Sequence, residues 1–221
     1  MFRLITIERE FGCGGPHIAE DLARHLGWKL WDHLLTEEIA RIAQVDPSAV
    51  KRCDERMDST LHRLAKVFWR GSYERSSPLG SQMFDTDRMM SMMQGIMDSI
   101  AEEGNAVIVG RGAPYFLREH PSAFHVFLYA PRAEKLRRTM SEGYSAQEAE
   151  EMVDTVDRER RAYVKHYFNA DWPTRSLYHM MLNTAVGNEP VVKTILETMR
   201  RVEGAPKATD FESPRIAAES N

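Results

Sequence analysis

Cysteine is scarce in this chain: there are two in 221 residues, Cys13 and Cys53. Two thiols cannot staple a disulfide framework, so a reducing compartment is expected. Long apolar runs are missing too; none approaches the roughly 20 residues of a membrane-spanning helix. Glu8, Arg9 and Glu10 interrupt the N-terminal stretch too early for a secretory signal. The expectation is a soluble, cytoplasmic protein with no membrane partner. Charge of one sign is not in excess either. Lysine and arginine number 29 against 33 aspartates and glutamates, a net charge of −4, so nothing points to nucleic acid as a partner. The eight histidines are scattered and none shows zinc-ligand spacing. No Ser-His-Asp pattern with a nucleophile elbow occurs.

What is present suits one enclosed core. With 43% hydrophobic residues and this length, a single domain with insertions is expected, and no internal repeat is visible. Phe2, Leu4, Ile5 and Ile7 predict a short buried strand. Gly12, Gly14 and Gly15 then give a loop without Cβ atoms, in which backbone N–H groups can turn towards an anion. Pro16 suits the first position of a helix, and Ile18, Ala19, Leu22, Ala23 and Leu26 mark its buried face up to Gly27. Strand, glycine loop and helix form a phosphate cradle, with the helix N-terminus adding partial positive charge. The candidate phosphate contacts are Gly12, Cys13, Gly14, Gly15, Pro16 and His17.

The cradle departs from the Walker-A pattern G-x-x-x-x-G-K-[ST]. With Gly14 as the second glycine, the first-glycine position holds Arg9, the lysine position Gly15 and the hydroxyl position Pro16. The phosphate-gripping lysine and the Mg²⁺-binding hydroxyl are both missing. Arg9, at the strand end, is the candidate for the lost charge; an ordinary strand-to-helix turn is the alternative. Cys13 reads as a small filler, not a nucleophile.

Further elements follow in order. Strands are expected at Trp28 to Trp31, Ala106 to Val109, Phe124 to Tyr129 and Leu177 to Leu182. Helices are expected at Thr36 to about Ala43, through 47–70, and at Asp85 to Glu103, with a Gly-, Ser- and Pro-bearing loop at Gly71 to Gly80. More helices are expected at Pro131 to Met140, from a capping box at Ser145 and Glu148 to about Tyr167, and at Glu189 to Val202. The methionines at 89, 90, 92, 93 and 97 read as packing residues. After Gly204 the composition predicts a disordered tail. Strands separated by helices imply an α/β fold: a mostly parallel sheet with helices on both faces and its ligand crevice beyond the carboxyl ends of the strands.

Arg111, in the turn after Val109, falls at that crevice, where a guanidinium suits a phosphate or pairs with a carboxylate. On the helix from Ser145, residues Met152, Val153, Val156, Tyr163, Val164 and Tyr167 form the inward stripe, and Arg160 lies in its middle. A charge there must meet an anion. An internal pair with Asp157 and a bound phosphate both remain open, while Arg158 points to solvent and Arg161 to the flank. Arg132, Lys135, Arg137 and Arg138 make the preceding helix basic. They read as a charged surface or as a mobile cover over phosphates.

Together, Ile5 to Gly15, Trp31-Asp32, Val107 to Ala113, Asp157 to Tyr163 and Asp171-Trp172 resemble the cytidylate-kinase-like family, a branch of the P-loop nucleoside monophosphate kinases. The resemblance spans roughly Phe2 to Val202. It implies a P-loop NTPase fold with a five-stranded parallel sheet in one domain over 1–203. It also implies a helical insertion at about 45–100 and a lid at about 132–168. It further implies transfer of the γ-phosphoryl group of ATP, with Mg²⁺, to a nucleoside monophosphate, CMP-like by preference. Under it Arg9, Arg111 and Arg160 are the catalytic candidates, and Asp32, Arg111, Asp157, Arg160 and Arg161 bind the acceptor. The metal ligands and the oligomeric state are not implied. Pro16-His17 departs from the Arg-Glu that similar chains carry, and with the missing lysine this bears on turnover more than on fold. A nucleotide or phosphate sensor that has lost turnover, and a kinase for another small metabolite, remain alternatives.

Overall fold

The computed structural model describes residues 1–32 and 86–204. The helices expected at 36–43 and 47–70, the loop at 71–80, most of the insertion, Cys53 and the tail after Gly204 lie outside the described residues.

Five strands form one sheet: β1 (Leu4–Arg9), β2 (Lys29–Trp31), β3 (Ala106–Val109), β4 (Ala123–Tyr129) and β5 (Met180–Asn183). Their spatial order is β2-β3-β1-β4-β5 and every pairing is parallel. This is the parallel α/β architecture expected from the strand–helix alternation. The strand carrying the glycine loop is central, with Ile7 in register with Val109 on one side and Val126 on the other. Neighbours on both sides bury β1 completely until its last residue, which fixes where the loop emerges.

Alternation along the strands sends side chains to two helical layers. Ile5, Ile7, Val107, Val109, Phe124, Val126 and Leu128 pack against α1 (Gly15–Leu26) and the last helix, α6 (Asn188–Gly204). On the other face Leu4, Ala106 and Ile108 meet α2 (Thr86–Glu103) through Met93, Ile96, Met97 and Ile100. Met93 and Met97 are therefore core residues, as expected. The same face carries α3 (Ala113–Phe116), a single turn not foreseen from the sequence, in which Pro114 follows Gly112 in the left-handed region. The α4 (Arg132–Ser141) and α5 (Ala146–Phe168) helices follow β4. The capping box of α5 is present: the Ser145 amide donates to Glu148 Oε2 at 2.9 Å and the Glu148 amide to Ser145 Oγ at 3.3 Å. Among the described residues no helix is long and apolar enough to cross a membrane.

One boundary differs from expectation. Leu177 closes a 3₁₀ turn at Arg175–Leu177 and is not the start of the last strand. Its amide bonds Thr174 O at 3.0 Å, so it cannot join the ladder. Trp172 and Tyr178 anchor this turn against Phe127, with ring centroids 5.4 and 5.1 Å away.

A buried histidine sits at the centre of the sheet. His125 Nδ1 lies 2.7 Å from Thr6 Oγ1, and the His125 amide donates to His179 Nδ1 at 2.9 Å. Burial, with His179 beside it, lowers its pKa to about 4. A folded-state value below the unfolded one means stability is complete above about 6.5 and is lost as pH falls towards 4. Thermal unfolding between pH 7 and 4 should therefore show an acid-side loss of up to roughly 3 kcal/mol from this group. His125→Gln should flatten that part of the profile; an unchanged slope would contradict it.

Candidate functional site

Beyond the carboxyl end of β1 the chain enters the glycine loop. Gly12 and Gly14 have φ of 69° and 80°, a region in which a side chain would be strained. Gly14 is the N-cap of α1 and Pro16 falls in its first turn, so the leading amides of the helix face the loop without a side-chain cap. The loop, Pro16 and His17 line a cleft of about 280 Å³. Arg9 and Arg160 line it as well, and so does Asp32 from the end of β2. The phosphate-cradle residues, two of the three candidate catalytic arginines and two acceptor candidates, Asp32 and the same Arg160, are thus brought to one place.

A single carboxylate holds this arrangement. Asp157 Oδ1 accepts from the Phe11 amide at 2.7 Å and from Arg160 Nη1 at 3.1 Å. Its Oδ2 accepts from Lys135 Nζ at 2.9 Å, and that ammonium also donates to Glu10 Oε2 at 3.0 Å. Burial works against the Lys135 charge, but Asp157 and Glu10 outweigh it and raise its pKa. Arg160 Nη1 also donates to the carbonyl of Arg9 at 2.9 Å. Burial, and the Arg9 charge beside it, lower the Arg160 pKa. The internal pair of Arg160 with Asp157 is therefore formed, and the same arginine still reaches the cleft.

A second clamp comes from α4. Arg138 Nη1 donates to the carbonyl of Cys13 and, at 3.2 Å, to Thr184 Oγ1; its Nη2 donates to Thr184 O at 2.8 Å. Thr184 Oγ1 also donates to the Cys13 carbonyl, at 2.6 Å. Glu134 orients the guanidinium by accepting from Arg138 Nε at 2.7 Å. The hydrogen bonds of Arg137 and Arg138 lower the Glu134 pKa to about 2. Lys135, Arg138 and Thr139 share the inward face of α4, while Arg132 and Arg137 pair with Asp154 and Glu134 at the surface. Nothing in the even charge of that helix marked these inward residues; their spacing of three and four positions was the available signal.

The other candidates lie apart from the cleft lining. Arg111 is buried in the turn between Gly110 and Gly112, with φ of 60°. It faces Tyr163 closely enough to oppose the rise in that phenol's pKa, which burial drives. Asp157 is fully occupied by the contacts above. Arg161 and Arg158 are exposed. Cys13 is buried and its thiol is pushed up to about 11 by desolvation, consistent with a filler. Glu8 was not singled out from the sequence, yet it is buried on β1 beside the loop, and burial raises its pKa. Among the described residues no three His, Cys, Asp or Glu side chains form a metal-binding group.

Removing the carboxylate should be costly, because Lys135 and Arg160 would remain buried and unpaired. Asp157→Ala is expected to lose roughly 3–5 kcal/mol, which for a domain of this size lowers Tm by about 10 °C. Thr184→Val, which removes one hydroxyl bond to the loop, should cost only about 1 kcal/mol. Thermal unfolding of the two variants side by side checks this order.

The sequence profile of the cytidylate kinase-like family matches residues 4–186. Among solved structures, an uncharacterized protein from Eubacterium ventriosum ATCC 27560 is similar with a TM-score of 0.62 at 22% identity, over 91% of this chain and 99% of that one. That likeness shows the fold. Weaker likenesses exist to a shikimate kinase from Acinetobacter baumannii in complex with shikimate (TM-score 0.48, 14% identity, 92% and 96% coverage). A gluconokinase from Sinorhizobium meliloti 1021 stands at the same level (TM-score 0.47, 14% identity, 90% and 91% coverage). No curated protein matches the sequence.

Proposed function

The chain belongs to the cytidylate kinase-like family, and from that premise we propose that it is a kinase moving the γ-phosphoryl group of ATP to a small acceptor, a CMP-like nucleoside monophosphate by preference. The observation that carries the reading is the shared cleft. It combines a glycine loop at a helix N-terminus with the guanidinium of Arg9 and that of Arg160.

The residues present fit the phosphates of a nucleotide. Amides between Gly12 and Gly15 would bind the donor's phosphate oxygens, and the α1 N-terminus favours their charge. Among the described residues the Arg9 guanidinium makes no hydrogen bond or ion pair; only its main chain is engaged. Its fork of donors is thus open to an anion. Arg160, held by Asp157 beside Arg9, would neutralise charge on the transferring group. Such transfer depends mainly on positioning and on charge neutralisation, which these groups supply without having to reorganise. Asp32, on the acceptor side of the cleft, would orient the acceptor, and Arg111 and Arg161 would contribute only if the acceptor extends beyond the cleft.

The fit to magnesium is less direct. Pro16 offers no hydroxyl, so the carboxylates lining the cleft, Glu10, Glu20, Asp32 and Glu142, are what would hold the ion's water shell, Glu10 being already paired with Lys135. Magnesium, when bound with ATP, supplies charge neutralisation at the phosphates. The absent lysine and hydroxyl favour a second reading, a nucleotide sensor with the same cleft and little turnover.

A coupled ADP-release assay over nucleoside monophosphates, with calorimetry of Mg²⁺–ATP binding, decides between them. The kinase reading expects turnover with at least one acceptor and a tenfold or greater loss in Arg9→Ala. Binding without turnover selects the sensor, and the absence of ATP binding removes both.

A further inference from the structure

Gly15 has no backbone reason to be glycine. Unlike Gly12 and Gly14 it does not adopt positive φ, and it opens a regular helix, a backbone that alanine adopts without strain. What forbids a side chain is Arg9. A Cβ at position 15 would lie 2.9 Å from Arg9 Cγ, 3.3 Å from its Cβ and 3.5 Å from its Cδ. The whole aliphatic stem of the arginine is laid along the bare Cα of Gly15.

The far end is equally confined. The guanidinium passes under Gly110 at the end of β3, where Nη1 would overlap an added Cβ. The point from which the stem leaves the strand is fixed, because the Arg9 carbonyl is held by Arg160 and the residue is paired with Leu128 of β4. Arg9 thus lines the cleft beside the glycine loop, with its stem on Gly15 and its guanidinium against Gly110, and the guanidinium has no hydrogen-bond or ion-pair partner among the described residues.

We infer that Arg9 and Gly15 are a matched pair: the strand-end guanidinium takes the phosphate-gripping role of the loop lysine, and its stem fills the space from which that lysine would grow. Lysine at 15 and arginine at 9 exclude each other. The ligand addressed is the terminal phosphate of a polyphosphate chain. This inference rests on the kinase reading for its ligand, but not for its steric half.

The test is an exchange. Gly15→Lys, Arg9→Gly and the double variant are compared by thermal unfolding without ligand, and by calorimetric titration with Mg²⁺–ATP and, separately, inorganic tripolyphosphate. Gly15→Lys alone should lower Tm by several degrees and weaken binding tenfold or more. Arg9→Gly should weaken binding to a similar degree. The double variant should regain Tm relative to Gly15→Lys and bind at least tenfold tighter than Arg9→Gly. A milder series guards against misfolding: Gly15→Ala should lower Tm in the Arg9 protein and raise it in the Arg9→Gly protein. Gly15→Lys as stable as the parent, an alanine effect of the same sign in both backgrounds, or a double variant binding no tighter than Arg9→Gly would each overturn the pairing. If the parent protein binds neither probe, the kinase reading and the phosphate role of Arg9 fail together, while the unfolding series still decides the steric exclusion.

Discussion

The Asp157 carboxylate is the contact on which the rest of the site depends. It draws three donors from separate parts of the chain: the amide that begins the glycine loop, an ammonium from α4 and a guanidinium from its own helix. Each of these would be expensive to bury alone, and a lone carboxylate among them more so. Satisfied together, they tie the helix after β4 to the mouth of β1. The loop conformation is thus set from behind by charge, and from the other side by Arg138 and Thr184 gripping the Cys13 carbonyl.

This arrangement concentrates like charge. Arg9 and Arg160 line one cleft, and the mutual repulsion, added to burial, lowers the Arg160 pKa. Asp157 and Glu8 oppose this, but burial and Arg9 outweigh them. A polyanion entering the cleft would relieve the repulsion with groups already in position, which is the physical content of preorganisation.

The fold and the loop were legible in the sequence because they rest on local pattern. Apolar runs such as Ala106–Val109, the glycines at 12 and 14 and the Ser145–Glu148 box each specify their own geometry. Arg160 was legible as an inward charge because the stripe around it has helical period, but its partner was not: two anions satisfied the same pattern, and only the packing of α5 against the loop selected Asp157. The inward direction of Lys135 and Arg138, and Thr184 altogether, escaped because a polar helix and a short turn give no period to read; their roles exist only once β4 lies beside β1 and β5 beside β4. Leu177 was misplaced because an apolar residue before a strand and one in it look alike until the Thr174 turn takes its amide.

The central place of β1 has a consequence for the order of assembly. Its neighbours in the sheet begin at residues 106 and 123, and the groups that shape its loop come from residues 135 to 184. On the ribosome the glycine segment is made well before these partners, and its form must wait for them. Contacts so distant along the chain are slow to close, and until they do, β1 is an apolar strand without mates, the kind of exposed edge that makes chaperones necessary.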